Sequence, residues 1–499
     1  MTRAQGGGAW EAHRMQARNI TKSDVRAYDN APAATAEKRQ AILVSPIASS
    51  LVGKGFYFRM PAFGLLKLAS LTPASWQITI IDEKVERLDL DAEPNLVGIT
   101  AMTATAIRAY KIADHFRSRG VSVVMGGMHV SSVPDEALKH CDSVVIGEAE
   151  GLWPLLLADH ERGELQRVYR HEEPPSLAGL PYPNWDLYRE KRYLPVHFVE
   201  TTRGCPWDCE FCAVTTAFGG TYRSRPCEDV LGELRNRKPF EGRFQMPNCV
   251  FFIDDNIIAN RRYAKELLAR VADLNIHWFS HASVNIASDP EMLKLCKRSG
   301  CEALLIGFET LSPETMSSIG HKPNRPAKYD DIVKRIHEAG IGIDAAFVFG
   351  FDTDDESVFD RTLEFIHRAK IEIPYYSILT PYPGTRLYRR MLDEGRLLTR
   401  DWSLYDTSHV VFHPRHLSPE QLLDGYLRIL KQSFSWPSIV RRLWGTTAWK
   451  QFFYGMNYGY RQSVKSLLRD LDHHSQRQDA KGGTHPGPSC WVAADSECG

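Results

Sequence analysis

The chain has 499 residues, 61 Lys+Arg balanced by 61 Asp+Glu, and ten cysteines. A formal charge of zero provides no global basic field for nucleic acid and no acidity that would keep the chain unfolded, and the length allows several domains with large cores. The cysteines are irregularly spaced, residues 1–32 lack an apolar signal core, and no run approaches the ~18 apolar residues of a membrane span, so the expectation is a cytoplasmic enzyme with reduced thiols and no transmembrane segment, not a secreted disulfide scaffold.

Residues 1–36, with a Gly6-Gly7-Gly8 run and an Ala/Pro stretch, read as a flexible lead-in. From 37 to 170 short apolar strands (41–45, 76–82, 96–100, 121–125, 143–147) alternate with helical runs (63–71, 105–119, 151–159). That alternation predicts an α/β, doubly wound, Rossmann-like parallel sheet with its ligand at the carboxyl ends of the strands. Pro174, Pro175, Pro181 and Pro183 mark a linker over 171–194. A second series fills 195–398, with strands at 197–202, 249–253, 278–282, 303–306, 344–349 and 375–380. Six strand–helix units with polar motifs at one rim describe a partial (β/α)6 barrel. Residues 399–472 read as a helical, aromatic-rich region and 473–499 as a disordered polar tail.

The first barrel strand runs into Thr202-Arg-Gly-Cys205-Pro-Trp-Asp-Cys209-Glu-Phe-Cys212, a C-x3-C-x2-C. Three thiolates this close in sequence can face one inorganic centre. On a four-iron cubane they leave one iron without a protein ligand, open to a substrate or cosubstrate. Zinc is the rival, but structural zinc favours C-x2-C pairs and a fourth ligand, and Cys227 lies fifteen residues on without a pair. Cys141, Cys249, Cys296 and Cys301 stand in or beside apolar runs and read as small core residues.

With Phe211 just before the third cysteine, this motif resembles the radical S-adenosylmethionine (SAM) family, over about residues 196–397. The resemblance implies a [4Fe-4S] cluster held by Cys205, Cys209 and Cys212. Its open iron chelates SAM, and one electron from a reductant such as flavodoxin or ferredoxin cleaves SAM to methionine and a 5′-deoxyadenosyl radical.

Cobalamin-binding domains are common ahead of such barrels, and the N-terminal region resembles them. Thr100-Ala101-Met102 and Gly126-Gly127 match the family's two later signatures, which make room for the nucleotide tail and let the backbone pass close to it; Gly147-Glu-Ala-Glu150 also matches. The first signature, Asp-x-His-x-x-Gly, is missing: residues 45–50 read Ser-Pro-Ile-Ala-Ser-Ser and supply no histidine for cobalt. His129, after the Gly-Gly turn, reads as a hydrogen-bonding histidine ahead of a cobalt ligand.

By the same resemblance, Asp254 in Asp254-Asp255-Asn256 stands where the family contacts the SAM amine, Asn285 faces the SAM carboxylate and Glu309 the ribose hydroxyls or the substrate. Residues 347–352 border the adenine, and Tyr222 and Arg223 meet SAM or cobalamin. Arg203 either offsets the cluster's charge or makes a loop salt bridge. The turn 381–385 is a rim turn, and each of these Asp and Asn residues also suits an ordinary capping role. Hopanoid and bacteriochlorophyll methylases share this domain order, which implies a C-methyltransferase moving a methyl group from SAM by way of cobalamin to an unactivated carbon of a lipid-like or polycyclic small molecule. The alternative is cyclase or oxidative chemistry without methyl transfer. Trp436, Trp444, Trp449 and Phe452 among Arg441, Arg442 and Lys450 suit either a helical cap on the barrel or contact with a membrane surface.

Overall fold

The structure, a computed structural model, describes residues 18–20, 38–48, 59–238, 248–320 and 324–479. Seven strands form the first sheet: β1 (Arg18–Ile20), β2 (Arg39–Ser45), β3 (Trp76–Asp82), β4 (Leu96–Thr100), β5 (Ser122–Gly126), β6 (Ser143–Ile146) and β7 (Val168–His171). Their order is β1-β7-β6-β5-β4-β2-β3, all parallel. The chain leaves β2 for β3 on one side and returns to β4 on the other, so the crevice of a doubly wound sheet opens between the carboxyl ends of β2 and β4. Buried Leu43, Val97, Val123 and Val144 supply the core of this sheet, as expected for strands covered on both faces.

Two findings revise the outer limits of the elements. Arg18–Ile20, within the segment read as a flexible lead-in, pairs with β7. Helix Lys450–Asp479 runs into the segment read as a disordered tail; the rest of both segments lies outside the described residues. The proline-marked stretch after β7 is packed down. Tyr188 donates to the Ala62 carbonyl at 3.0 Å and Tyr193 to Asp82 at 3.0 Å.

The second sheet contains β8 (His197–Val199), β11 (Cys249–Phe252), β12 (His277–Ala282), β13 (Cys301–Glu309), β14 (Gly342–Phe349) and β15 (Ile373–Ile378), parallel and in sequential order. Between β8 and β11, β9 (Thr202–Arg203) and β10 (Arg223–Ser224) form a short antiparallel ladder. Strand alternation is legible in the burial. On β14, Ile343, Ala345, Phe347 and Phe349 are buried under the outer helices, while Asp344, Ala346 and Val348 keep partial exposure toward the inside of the curve. Tyr375 of β15 keeps 38% of its surface accessible on that inner side, so a chamber lies within the sheet.

The C-terminal helices Pro419–Ser433, Trp436–Leu443 and Lys450–Asp479 close one side. Phe452 stacks on Phe279 of β12 with centroids 4.6 Å apart, and Trp449 lies parallel to the same ring at 6.5 Å. A Cβ on Gly342 would meet the Phe453 ring at 2.3 Å, so β14 must begin on a residue without a side chain. Among the described residues no helix is long and apolar enough to cross a membrane.

Candidate active site

The cysteine loop hangs between β9 and β10, whose pairing of Arg203 with Arg223 pins its two ends. Gly204 starts it at φ +87°, and a Cβ there would stand 2.0 Å from the Thr221 carbonyl oxygen, so only glycine lets the chain turn this tightly. Cys209 is buried, with Cys205 and Cys212 half-buried beside it. Burial pushes all three thiols upward, Cys212 to about 11, and in Cys209 the charges of Cys212, Glu309 and Cys205 add to it. The three thiolates therefore share one space, where an iron centre would hold them deprotonated.

Among the described residues no three His, Cys, Asp or Glu side chains stand close enough to hold one metal ion. A cubane takes each thiolate on a different iron and does not need that closeness. Cys227 opens a helix packed into the core, apart from this group. Beyond the thiols, Asp208 pairs with Arg386 at 2.6 Å and Glu210 with Arg390 at 2.7 Å, fastening the loop to helix Arg386–Asp393. Gly384, at the turn read as a rim turn, lies against Thr216 of the cysteine segment and Ser132 of the first sheet's connections.

The carboxylates at the strand ends divide unexpectedly. Asp254 is fully buried and spent on the backbone: Oδ1 accepts from the Thr201 and Thr202 amides at 2.7 Å each, and Oδ2 accepts from the Thr201 hydroxyl at 2.5 Å. Asp254, read from the sequence as the contact of the SAM amine, thus has both oxygens engaged by residues 201 and 202, and successive residues leaving a strand point to opposite sides. Asp255 takes the other side. Its Oδ2 accepts from the Gly204 amide at 3.0 Å, its charge reaches Cys205 and Cys212, and burial raises its carboxyl.

Glu309 ends β13 at a register shift and adopts φ +62°, rare for a residue with a side chain. Its carboxylate occupies the space a Gly307 Cβ would fill, 2.1 Å from Oε1, and burial pushes it to about 7. A strained bulge that aims a carboxyl toward Cys209 is the kind of feature found at working sites. Asn285 accepts from Ser283 Oγ at 2.7 Å, and Ser283 also bonds Asn256, so the ends of β11 and β12 are tied together. Tyr222 lies behind the loop with its hydroxyl 3.4 Å from the Asn256 carbonyl. Burial, with the charges of Asp254 and Cys205, lifts it to about 12.

At the first sheet's carboxyl edge Met102 is 53% exposed. Gly127 has φ +101°, and a Cβ there would press on the Ala101 backbone and Thr100 Oγ1 at 2.8–2.9 Å. Its lack of a side chain is therefore demanded by the protein's own turn, whereas Gly126 meets nothing nearer than 3.6 Å. His129 is fully buried with Nε2 3.0 Å from the Tyr110 hydroxyl and its ring edge-on to Trp402, an interior position rather than one facing the crevice.

Between the two sheets lies a buried ionic network. Arg203 binds Glu148, Glu150 (2.6 Å) and Glu200 (2.8 Å); Lys67 binds Glu200 (2.5 Å) and Glu150 (3.3 Å); Arg223 also binds Glu148. Of the two readings of Arg203, the geometry shows the salt bridge. Beside this network a cavity of about 960 Å³ opens from Gly147, Glu148 and Ser131 on the first sheet's side to Cys209, Cys212 and Thr215 on the other. That is the upper end of the ~300–1,000 Å³ range of small-molecule sites. Gly147, at φ +79° with no atom within 4 Å of a would-be Cβ, leaves its wall open.

Residues 199–366 match the radical SAM superfamily, 50–157 the B12 binding domain, and 385–451 a domain of unknown function. The chain is 33% identical over 435 residues to the bacteriochlorophyllide d C-12(1)-methyltransferase of Chlorobaculum tepidum, covering 86% of this chain and 94% of that protein. The chain belongs to the cobalamin-binding radical SAM family. The bacteriochlorophyllide d C-8(2)-methyltransferase of the same organism is 30% identical over 388 residues, 75% of this chain and 86% of that protein. The radical SAM methyltransferase TsrM from Kitasatospora setae, solved with cobalamin and a [4Fe-4S] cluster bound, shares the fold at a TM-score of 0.63 and 15% identity over 87% of this chain and all of that one.

As a cobalamin-binding radical SAM enzyme the protein uses a [4Fe-4S] cluster, SAM and cobalamin. The residues present fit these groups: three thiols sharing one space, and an open glycine-walled cavity joining them to the first sheet. Sequence reasoning missed Asp255, Lys67 and Asp344. Asp344 lies on the inner face of β14 with Oδ1 buried and unbonded, and burial raises it to about 7. A lone Asp in an apolar strand, and a lone Lys67 within the apolar run of helix Phe63–Ser70, were the available signals.

Proposed function

We propose that this enzyme is a C-methyltransferase acting on an unactivated carbon of a flat, apolar, polycyclic or lipid-like molecule. The observation that carries the reading is a cavity bordered by the carboxyl ends of β6 and β7 and by the cysteine loop, which a methyl carrier on the first sheet and a radical source at the thiols would both reach. Similarity to the bacteriochlorophyllide methyltransferases supports a polycyclic substrate. When bound, the cluster with SAM supplies a hydrogen-abstracting radical and cobalamin supplies the methyl carrier.

In this reading Cys205, Cys209 and Cys212 hold the cluster and Asp255 takes the SAM ammonium, its charge fixed beside the thiols by the Gly204 amide. Asn285 and Glu309 face SAM's carboxylate and ribose. Thr100, Met102, Gly126 and Gly127 border cobalamin at the first sheet's edge, and Tyr222 backs the loop. Phe279 and Phe452 stack on each other and close the barrel towards the amino end of β12.

On the true substrate, methyl transfer requires S-adenosylhomocysteine and 5′-deoxyadenosine in about equal amounts, with labelled methyl from SAM in the product. Deoxyadenosine without homocysteine product would reject methyl transfer in favour of cyclase-like chemistry. Asp255→Asn should weaken SAM binding to the cluster-loaded enzyme by roughly tenfold to a hundredfold, the worth of a charged hydrogen bond of about 1.5–3 kcal/mol. Asp254→Ala should instead lower the melting temperature, since it removes the acceptor of the three bonds that hold residues 201–202. Equilibrium dialysis of SAM separates them, and the reverse pattern would return the amine contact to Asp254.

A further inference from the structure

From Gly425 to Arg469 the chain carries eight basic residues and no Asp or Glu, although the two signs balance over its whole length. The same segment leaves large apolar side chains outside. Trp436 and Val440 on helix Trp436–Leu443 are 47% and 43% exposed, and Trp444, a turn further on, is 72% exposed. Their i, i+4, i+8 spacing makes one stripe. Tyr454 and Tyr458 of the last helix also stand exposed, and the Tyr458 ring stacks on Trp436 at 6.4 Å.

The opposite sides of both helices are committed to the fold. Ile439, Leu443 and Phe453 are in the core, and buried Arg442 donates to the Ile371, Glu372 and Ser433 carbonyls. Around the stripe Arg441, Lys450 and Lys465 are exposed, and Arg461 lies 5.4 Å over the Trp436 ring. Burial and then the charges of Arg441 and Arg442 hold neighbouring His367 down at about 4, as expected where the local field is positive.

We infer that this face docks on the surface of an anionic lipid bilayer, with the exposed tryptophans and tyrosines among the headgroups and the basic residues against lipid phosphate. Amphipathic rings prefer that boundary, and basic charge clustered beside them adds attraction to anionic lipid. A protein partner is the poorer fit, because protein interfaces are depleted in lysine. The inference goes beyond methyl transfer and does not depend on it. Trp449, just ahead of the last helix, and Phe452 within it pack on His277 and Phe279 near the amino end of β12, so this face belongs to the side of the barrel away from the cysteine loop.

The test is co-sedimentation of the full chain with vesicles of one part phosphatidylglycerol to two parts phosphatidylcholine, and with phosphatidylcholine alone. Binding should require the anionic lipid and weaken as salt rises. Trp436→Ser with Trp444→Ser should reduce the partition by about tenfold or more, and Arg441→Gln with Lys450→Gln should reduce it as well. None of the four residues lines the cavity at the thiols, so SAM cleavage in solution should not change, which keeps this result separate from the catalytic reading. Absence of binding to anionic vesicles, or equal partition of the tryptophan pair and the parent chain, would overturn the inference. So would a dimer of the free protein that the tryptophan pair dissolves, since the stripe would then cover a second copy.

Discussion

Replacing any one of Cys205, Cys209 or Cys212 with alanine is expected to abolish SAM cleavage, measured as 5′-deoxyadenosine formed by anaerobically reconstituted, dithionite-reduced protein. Each thiolate holds a different iron of the cubane, so losing one opens a second iron to solvent and the cluster falls apart. Iron and sulfide content should fall with activity. Cys227→Ala is the control: it removes a buried thiol from a helix in the core and should leave cleavage intact. Retained cleavage in any of the three loop variants would remove that cysteine from the ligand set.

Arg203→Met should cost about 3–5 kcal/mol in chemical denaturation of the cofactor-free chain, because it strands buried Glu148, Glu150 and Glu200 with too few cations. The network joins the two sheets just ahead of the cysteine loop, so the variant should also become open to proteolysis between them. Burial alone would raise the Glu150 and Glu200 carboxyls, but the charges of Arg203 and Lys67 outweigh it and hold both below the ordinary range. Their stabilising effect is thus complete above the unfolded carboxyl pKa of about 4.3 and is lost as pH falls through the lower folded values. In Arg203→Met those folded values rise, and acid unfolding should move to higher pH. A loss under about 1 kcal/mol would mean that water screens the network as it does a surface pair.

Particular residues show how far the sequence could be read. Strands β3 and β4 lie where the apolar runs place them, at Trp76–Asp82 and Leu96–Thr100, because a strand buried on both faces must be apolar throughout. Two pieces did not announce themselves. The β9–β10 ladder is too short for any periodicity, and β7 contains Arg170 and His171 among only four residues. Asp254 and Asp255 are chemically identical neighbours, and only the direction in which the chain leaves β11 decides which is spent on backbone amides and which faces the thiols.

The sequence by itself determined the cluster loop, since three cysteines at that spacing need no distant partner, and SAM and cobalamin followed from its resemblance to a family; it also determined both α/β halves, since hydrophobic periodicity is a local property. Only the tertiary structure decided that Glu148, Glu150, Lys67, Glu200 and Arg203 form one network, that Glu309 is aimed by a bulge, and that Trp449 turns inward while Trp444 stays outside. Those outcomes depend on which segments meet across long separations in sequence. Burial and pairing of a charge or a ring are set by that meeting and not by the residue's own neighbours.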